Sequence, residues 1–386
     1  MVSCGEASGD LYAEGLVEAL RSIEPGIEVF GFGGPRLGAA GAELVGTYEG
    51  VSVTGLVEVA AVLRRAWDML RRLRDTAATR RPDVFVAIDF PDFNLRLLPA
   101  IHALGIPIVY YVSPQLWAWR PGRIETLKRF VTRMAVIFPF ERDVYERAGV
   151  PVEFVGHPLI ERAVPTTPRA EWLAGAGLSP DRPVVALLPG SRPNEVRRIL
   201  PVLCAAIPMI AASVPGVQFV VARAPHLDDD LFSRVEELRR AAIPMAMVEG
   251  AADDVLAAAD VVVTASGTAT VQTALHGRPM VIVYGLSALT YAIGRQFVRV
   301  PAYGMPNLIA GRQIVPELIQ QNFTPENVAR ETVSLLTDSV RADRVRTDLA
   351  DVRRALGEPG ASMRVARSVL DVARRPERRG RPAEAR

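Results

Sequence analysis

Two glycine-containing turns in the second half of the chain have residue types that bind phosphate. Each follows a short apolar run typical of a buried strand and precedes a helical segment. The turn residues are Gly190, Ser191 and Arg192 in the first and Ser266, Gly267 and Thr268 in the second. A helix N-terminus presents unpaired N–H groups and a partial positive charge, and Arg192 adds a fixed cation. We predict that the turns flank one phosphate or pyrophosphate; helix capping is the alternative for Ser266 and Thr268.

A carboxylate in the first half of the chain has a position suited to proton transfer. Asp89 directly follows the apolar run 84–88, so its side chain is predicted at the carboxyl edge of a parallel sheet. A carboxylate at such an edge can act as a general base. The alternative for both nearby aspartates is helix capping, with Pro91 at the helix entry, and we assign that role to Asp92.

Composition limits the class of protein. The 386 residues are 49% hydrophobic and 23% charged, which predicts two globular domains with their own cores. A net charge of +2 argues against a nucleic-acid partner, and two cysteines are too few for a disulfide framework, which suits a reducing cytoplasm.

No uninterrupted apolar run approaches the ~18 residues of a membrane span. Glu6 and Asp10 stand where a signal peptide would need an apolar core, so secretion is not expected.

Strand-like runs alternate with helical segments along the whole chain, which predicts a doubly wound, mostly parallel α/β architecture. Strands are predicted near residues 27–32, 83–88, 106–112, 133–138, 152–155, 183–188, 217–222, 245–248, 260–264 and 279–284. Helices are predicted near residues 9–22, 57–79, 94–104, 122–130 and 140–148, and from about 325 onward. Only four residues precede the turn 5–10, so the first strand is short or begins upstream, and we favour a truncated start.

The domain boundary is predicted from a proline- and threonine-containing segment, 164–168, which is typical of an interdomain linker. We predict one domain over residues 1–163 and a second over 164–340. Helices follow over 341–374, and whether they return to the first domain stays open. The Arg- and Pro-rich tail 375–386 is predicted to be disordered.

Eight short motifs follow one another in a fixed order. They are GEASGD at 5–10, GFGGPRL at 31–37, AIDFPDFN at 87–94, YYVSPQLWAWR at 110–120, VGHPL at 155–159, LLPGSR at 187–192, ASGTAT at 265–270 and MPNLIAGR at 305–312. Each motif is weak alone, but their order and spacing make the chain resemble the lipid-A-disaccharide synthase family over about residues 3–372.

The resemblance implies a GT-B fold, in which two Rossmann-like domains face a central cleft. It implies an inverting glycosyltransferase with an N-terminal domain for the lipid acceptor and a C-terminal domain for the UDP-sugar. The implied reaction joins UDP-2,3-diacylglucosamine to 2,3-diacylglucosamine 1-phosphate, giving UDP and the β(1→6) lipid A disaccharide 1-phosphate. The family works in the cytoplasm at the inner face of the inner membrane, with no metal ion and no cofactor.

The resemblance also assigns roles to residues. It points to Asp89 as the base, and the two turns with Asn307 as a further donor would hold the diphosphate. Gln272 stands where many GT-B enzymes have a ribose-binding glutamate, so we expect weaker or differently balanced ribose recognition. The residues assigned to the acceptor or the cleft are Glu6, Ser8, Asp10 and His157. A structural role is an equal alternative for His157.

One segment has the pattern of a basic amphipathic helix. Its apolar residues are Leu56, Val59, Ala60, Leu63, Trp67 and Leu70, and its arginines are 64, 65, 71, 72 and 74. This pattern predicts a helix on a membrane surface, and an ordinary packing helix is the alternative. Trp117 and Trp119 suit a lipid headgroup or a sugar face, with core packing as the alternative for one of them. The predicted lipid contacts are Leu63, Trp67, Leu70, Trp117 and Trp119.

Other functions fit the same motifs less well. An epimerase acting on UDP-sugars would not need the amphipathic helix; a GT-B transferase with an undecaprenyl-linked acceptor is a further alternative. The presence of Asp89, Arg192 and Asn307 counts against a nucleotide-sugar-binding protein without catalysis, but the short start and Gln272 leave this alternative open. An arginine-rich RNA-binding protein is disfavoured by the near-neutral charge. The acyl-chain length and the formation of a homodimer are left open.

Overall fold

The computed structural model of the protein describes residues 1–48, 58–114, 122–225, 227–241, 243–285 and 302–374, with side chains from residue 64 onward in the second range. The chain divides into two units. The first contains Met1–Pro158 and the segment from Leu356 onward, and the second contains Leu159–Ala355.

The first unit is built on a parallel sheet of seven strands in the order β3-β2-β1-β4-β5-β6-β7. The strands are β1 Val2–Cys4, β2 Phe30–Gly33, β3 Glu43–Thr47, β4 Phe85–Ile88, β5 Ile108–Tyr111, β6 Arg133–Val136 and β7 Val152–Phe154. The helices are α1 Ala7–Ile23, α2 Pro35–Ala39, α3 Glu58–Arg80, α4 Pro91–Ala103, α5 Arg123–Phe130, α6 Pro139–Ala148 and the C-terminal α16 Ala361–Arg374. The winding direction switches between the paired strands β1 and β4, and ligands of open α/β sheets bind at such a switch point.

The second unit has a parallel sheet of six strands in the order β10-β9-β8-β11-β12-β13. The strands are β8 Val184–Leu188, β9 Gln218–Arg223, β10 Met245–Glu249, β11 Val261–Ala265, β12 Met280–Tyr284 and β13 Glu317–Ile319. The helices are α7 Leu159–Arg162, α8 Arg169–Gly175, α9 Pro193–Ser213, α10 Ser233–Arg240, α11 Ala252–Ala258, α12 Thr268–Leu275, α13 Met305–Ala310, α14 Pro325–Thr337 and α15 Ser339–Ala355. Two 3₁₀ helices cover Asp229–Phe232 and Gln320–Asn322. The switch point here lies between the neighbouring strands β8 and β11.

The predicted α/β class is confirmed, and all ten predicted strands are present with bounds shifted by a few residues. The sequence does not predict β3, because only Val45 of its five residues is buried and no apolar run marks it. It does not predict β13 either, because that strand has three residues and begins with a charged one, Glu317. Their pairing with β2 and β12 makes them strands.

The segment predicted as an interdomain linker is bound to the second unit. The Asp254 carboxylate of α11 accepts hydrogen bonds from the Thr166 amide (2.7 Å), the Thr166 hydroxyl (2.7 Å) and the Thr167 amide (3.0 Å). The boundary between the units follows Pro158, five residues before the predicted position. The helices predicted over 341–374 are divided, with α15 in the second unit and α16 in the first. The predicted tail 375–386 lies outside the described residues.

Among the described helices, α9 alone has the length and apolar composition that a membrane span requires. Its apolar side is buried in the second unit, where Val196, Ile199, Leu203 and Ile210 are at most 1% exposed. The buried core helix of a globular protein can have the same length and composition as a membrane span. The sequence contains no uninterrupted apolar run of that length.

The start of α2 is fixed by a buried carboxylate from α1. Asp10, 1% exposed, accepts hydrogen bonds from the backbone amides of Gly34 (2.8 Å), Arg36 (3.0 Å) and Leu37 (3.1 Å). These amides have no partner within the helix, so the carboxylate satisfies them. The sequence-based assignment of Asp10 to the acceptor side is therefore wrong, because the carboxylate is buried and binds α2.

His157 is also buried, at 1% exposure, which favours the structural alternative for this residue. Its ring centroid lies 6.1 Å from that of Tyr12 and 5.3 Å from that of Phe138. Its backbone amide donates to the Leu356 carbonyl at 2.9 Å, where the chain re-enters the first unit. Burial lowers the pKa of the imidazole to about 3, so the ring is neutral. The structural alternative is the one that the structure supports.

We expect Asp10→Asn to lower the free energy of unfolding by about 2–4 kcal/mol, because an amide loses the charge and turns a donor toward backbone donors. Denaturant unfolding of the purified protein measures this change. Glu14→Gln is the matched control on the same helix: Glu14 pairs with Arg36, whose side chain is 55% exposed. Such a surface pair contributes at most about 1 kcal/mol. Equal losses in the two variants would contradict the role of Asp10.

The neutral His157 makes stability depend on pH with a defined sign. In the unfolded chain, His157 binds a proton below its ordinary pKa of about 6.5. In the folded chain the same imidazole binds a proton only below about pH 3. The free energy of unfolding therefore falls as the pH drops through this window, by about 2 kcal/mol between pH 7 and pH 5 from this residue. Comparing wild type with His157→Gln at both pH values measures it. The variant should lose that part of the pH dependence, and parallel pH profiles would refute the assignment.

Candidate active site

The turn after β4 carries Asp89 in a defined backbone conformation. Asp89 and Phe90 both have left-handed backbone angles, with φ of 46° and 49°. Non-glycine residues adopt this conformation at a cost of about 1–2 kcal/mol each. The Asp89 amide donates to the Tyr111 carbonyl at 3.0 Å, which ties the turn to β5. The carboxylate is half-buried at the carboxyl end of β4, as the sequence predicts.

Two side chains hold the carbonyl oxygen of this residue. Asn94 Nδ2 and the Tyr110 hydroxyl each donate to the Asp89 carbonyl at 2.8 Å. Burial, and secondarily the charge of Asp89, raises the pKa of Tyr110 well above its usual range, so the phenol stays protonated as a donor. Asn94 also accepts a hydrogen bond from the Ser3 hydroxyl at 2.7 Å, which joins α4 to β1. Both donors are fully buried.

Neither Asn94 nor Tyr110 is predicted from the sequence to hold the Asp89 turn. The available signal was a polar residue on the apolar side of α4, where Asn94 shares its buried side with Leu97, Leu98 and Ile101. Tyr110 gave no signal, since it occupies an ordinary position within a buried strand.

The turn 5–10 lies beside the Asp89 turn because β1 and β4 are paired. A Cβ atom at Gly5 would lie 2.2 Å from the Phe90 ring, so only glycine lets that ring pack against the turn. Phe90 stacks in turn on Phe93, with ring centroids 5.3 Å apart. Glu6, at the N-cap of α1, is exposed and Ser8 is half-buried. Both follow β1, which pairs with β4, so they lie at the same sheet edge as Asp89.

Asp92 does not cap α4. The N-cap residue is Phe90, and Asp92 lies in the first turn, where its exposed carboxylate pairs with Arg123 of α5. The predicted and observed N-caps differ because the left-handed turn makes Phe90, directly after Asp89, the residue that precedes the helix.

In the second unit, the turn before α9 binds a carboxylate of its own chain. The amides of Ser191 and Arg192 donate to Glu195 Oε2 at 3.3 and 3.4 Å. Arg192 Nη1 lies 3.5 Å from Glu195 Oε1. Gly190 has a φ of 118°, and a Cβ there would lie 2.7 Å from Glu195 Oε2. The amides and the guanidinium thus converge on a negative group, which is the arrangement a phosphate needs.

The turn before α12 is open. Gly267 and Thr268 are exposed, and a Cβ at Gly267 would have nothing within 4 Å among the described residues. The Ser266 hydroxyl donates to the Tyr303 carbonyl at 2.9 Å, and Gly267 is the N-cap, so capping by Ser266 is not observed. Since β8 and β11 are paired, the starts of α9 and α12 lie side by side at one sheet edge.

The prediction that Asn307 donates to a diphosphate is wrong. Asn307 is 1% exposed, and its Nδ2 donates to the Val315 carbonyl (3.0 Å) and to Glu317 Oε1 (2.7 Å). Its Oδ1 accepts from the amides of Ile314 (2.7 Å) and Val315 (3.0 Å). Both amide hydrogens are used, so the side chain fastens the loop before β13 and has no donor left for a ligand.

Gln272 is part of a polar cluster. Its Nε2 lies 3.5 Å from Asp253 Oδ1, and His276 Nε2 lies 2.9 Å from the same oxygen. Gln272 lies on α12 and His276, four residues later, is the C-cap residue of that helix, while Asp253 lies in the first turn of α11. This pairing is not predictable from the sequence, because β11 separates α11 from α12 along the chain.

The lipid-contact prediction is partly contradicted. Leu70 belongs to the hydrophobic core of the first unit and is 8% exposed, so it is not a lipid contact. Trp67 is 51% exposed, with the Arg96 guanidinium 5.7 Å from its ring centroid. The exposed arginines of α3 are Arg64, Arg65, Arg71, Arg72 and Arg74. Leu63, Trp117 and Trp119 lie outside the residues whose side chains are described.

The described residues contain no group of three or more His, Cys, Asp or Glu side chains placed to hold a metal ion. The acidic run 228–230 lies at the start of a 3₁₀ helix, where Asp229 forms an ion pair with Arg223.

Comparison with known proteins identifies relatives over nearly the whole chain. The profile of a family described as lipid-A-disaccharide synthetase matches residues 1–369. A lipid-A-disaccharide synthase of Myxococcus xanthus is 44% identical over 373 residues, which cover 96% of this chain and 97% of that protein. The synthase of Geobacter metallireducens is 43% identical over 375 residues, covering 96% of each chain.

Solved structures share the fold. The UDP-GlcNAc 2-epimerase of Neisseria meningitidis bound to UDP-GlcNAc has a TM-score of 0.66 at 11% identity, covering 96% of this chain and 99% of that one. The glycotransferase of kitacinnamycin has a TM-score of 0.62 at 21% identity, covering 96% and 98%. At these identities the likeness shows the fold alone, which is that of GT-B glycosyltransferases and epimerases.

Proposed function

The chain belongs to the lipid-A-disaccharide synthase family, and from this premise we propose which of its residues perform the reaction. The enzyme is a glycosyltransferase of lipid A biosynthesis. It condenses UDP-2,3-diacylglucosamine with 2,3-diacylglucosamine 1-phosphate to give the β(1→6) disaccharide 1-phosphate and UDP.

Asp89 is the base of the proposed mechanism. The acceptor 6-hydroxyl attacks the anomeric carbon from the face opposite UDP, and Asp89 takes the hydroxyl proton as the new C–O bond forms. The bond from the anomeric carbon to the UDP oxygen breaks, and its electron pair leaves with UDP. The single observation that carries this assignment is the fixed backbone of Asp89, held by hydrogen bonds from Asn94 and Tyr110 and to Tyr111. Glu6 and Ser8 are proposed acceptor contacts at the same edge.

The starts of α9 and α12 hold the departing diphosphate in this proposal. Negative charge grows on UDP as the bond breaks, and preorganised N–H groups stabilise such charge without reorganisation. Ser191, Arg192, Gly267 and Thr268 supply those groups, with the Arg192 guanidinium as the charge partner. The Glu195 carboxylate must leave the amides when the diphosphate binds, because two negative groups cannot share them.

The exposed part of α3 is proposed to contact the membrane that holds both lipid substrates. Trp67 is a half-exposed aromatic side chain among exposed arginines, which suits the boundary of an anionic bilayer. Leu70 and Leu73, three and six residues further along the helix, pack into the core and hold α3 to the first unit. The proposed location is the cytoplasmic face of the inner membrane.

We expect Asp89→Asn to lower kcat by at least ~100-fold, because an amide cannot accept the proton. Binding of UDP should be unchanged, since no diphosphate contact is removed. Disaccharide formation from the two lipid substrates measures the first effect, and calorimetry with UDP measures the second.

Asp92→Asn is the matched control for that variant. It removes a carboxylate three residues away that is exposed and paired with Arg123, so turnover should be retained. Normal turnover in Asp89→Asn would exclude Asp89 as the base, and equal losses in the two variants would point to damage of the α4 start.

Binding to vesicles with anionic phospholipid should depend on α3. We expect Trp67→Ala to weaken binding, and Arg71→Ala and Arg72→Ala to weaken it by about fivefold each, with less effect at high salt. Cosedimentation with vesicles measures the bound fraction. Arg239→Ala, an exposed arginine on α10 of the second unit, is the control. If vesicle binding changes neither with salt nor in any of the three α3 variants, α3 is not the membrane-binding surface.

A further inference from the structure

The cluster of Asp253, Gln272 and His276 lies one helical turn beyond the proposed diphosphate site. Thr268 and Gln272 are four residues apart on α12 and therefore share one face of the helix. One turn is about 5.4 Å, a distance comparable to the reach of the sugar ring attached to a bound phosphate. Asp253 reaches this place from α11, which follows β10 at the same edge of the sheet.

The cluster pairs a charged acceptor with a neutral one. Gln272 Nε2 is turned toward Asp253 Oδ1, which leaves the Gln272 carbonyl oxygen to accept a hydrogen bond. Asp253 is 26% exposed, whereas His276 is 7% exposed and donates through Nε2 to the carboxylate at 2.9 Å. Within the described part of the chain, the hydrogen bonds to Asp253 reach Oδ1, so Oδ2 can accept from a ligand. The neighbouring Asp254 is turned away, toward Thr166 and Thr167.

We infer that Asp253 supplies the negative acceptor for the ribose hydroxyls of the nucleotide, with the Gln272 carbonyl as the second acceptor. Two adjacent hydroxyl groups need two acceptors, and a charged acceptor binds a hydroxyl more strongly than a neutral one. His276 is a positioning residue that fixes the carboxylate. The inference rests on the proposed diphosphate site at the start of α12, and it makes the site specific for a ribonucleoside diphosphate over its deoxy form.

The alternative is a structural carboxylate that only binds His276. The two roles differ in one measurable quantity, the ratio of the dissociation constants for 2′-deoxy-UDP or 3′-deoxy-UDP and for UDP. Loss of a structural contact weakens all three nucleotides alike. Loss of a ribose contact weakens UDP and leaves a deoxy-nucleotide that lacks the bound hydroxyl nearly unaffected.

The test is calorimetry of the full chain with UDP and both deoxy-UDP forms. In wild type we expect at least one deoxy form to bind about tenfold or more weakly than UDP, the size of a hydrogen bond to a charged group. Asp253→Asn should reduce this ratio to about threefold or less, near that of a neutral hydrogen bond. Adding Gln272→Glu to Asp253→Asn should restore the ratio, because the charge returns to the neighbouring side chain. Asp229→Asn, an exposed aspartate of the same unit, should leave the ratio unchanged.

Two outcomes would overturn the inference: an unchanged ratio in Asp253→Asn, or a double variant that regains thermal stability but not the ratio. Failure of the diphosphate site gives a different result. Arg192→Ala should weaken UDP and both deoxy forms equally and leave the ratio as in wild type. If Arg192→Ala changes nothing while the ratio still responds to Asp253, the diphosphate assignment fails and the ribose assignment stands.

Discussion

The site of the first unit depends on the hydrogen bonds to one carbonyl oxygen, that of Asp89. Two successive left-handed residues, Asp89 and Phe90, would cost about 2–4 kcal/mol in an unsupported turn. Buried donors from α4 and β5, Asn94 and Tyr110, offset this cost by binding the carbonyl at 2.8 Å each. The backbone that carries the carboxylate therefore has a defined position, which limits where the proposed general base can lie. The same turn places the Phe90 ring against Gly5, where a Cβ atom would clash with the ring.

Buried or half-buried carboxylates have a similar task elsewhere in the fold, because they accept hydrogen bonds from backbone amides at turns. Asp10 binds the start of α2, Asp254 binds the segment 166–167, and Glu317 accepts from the amides of Tyr303 (2.9 Å) and Gly304 (2.8 Å). Burying an amide without a partner is costly, so these carboxylates are needed wherever a sharp turn is covered. The turns before α9 and α12 differ because they stay at the surface. Before α9, two amides donate to Glu195 of the same helix, and the turn before α12 is exposed.

This difference explains why several residues assigned to substrate from the sequence have structural contacts instead. Asp10, His157 and Asn307 occur in motifs that carry the family resemblance, and all three are at most 1% exposed. A motif records that a residue type is required, but the requirement can come from folding as well as from substrate. Asp89, Arg192 and Thr268 sit at strand ends or helix starts with accessible side chains, so they stay candidates for chemistry.

The class of fold, ten of the strands, the positions of the two glycine-containing turns and the family could all be predicted from the sequence. Apolar runs, glycines and proline at helix entries act over a few residues, so their effect can be read locally. The edge strand β3, the hydrogen bonds of Asn94 and Tyr110 to Asp89, and the pairing of Asp253 with Gln272 were decided by the tertiary structure. Each of these joins residues that are distant in sequence or belong to different elements, and only the packing of the sheet and its helices brings them within hydrogen-bond distance.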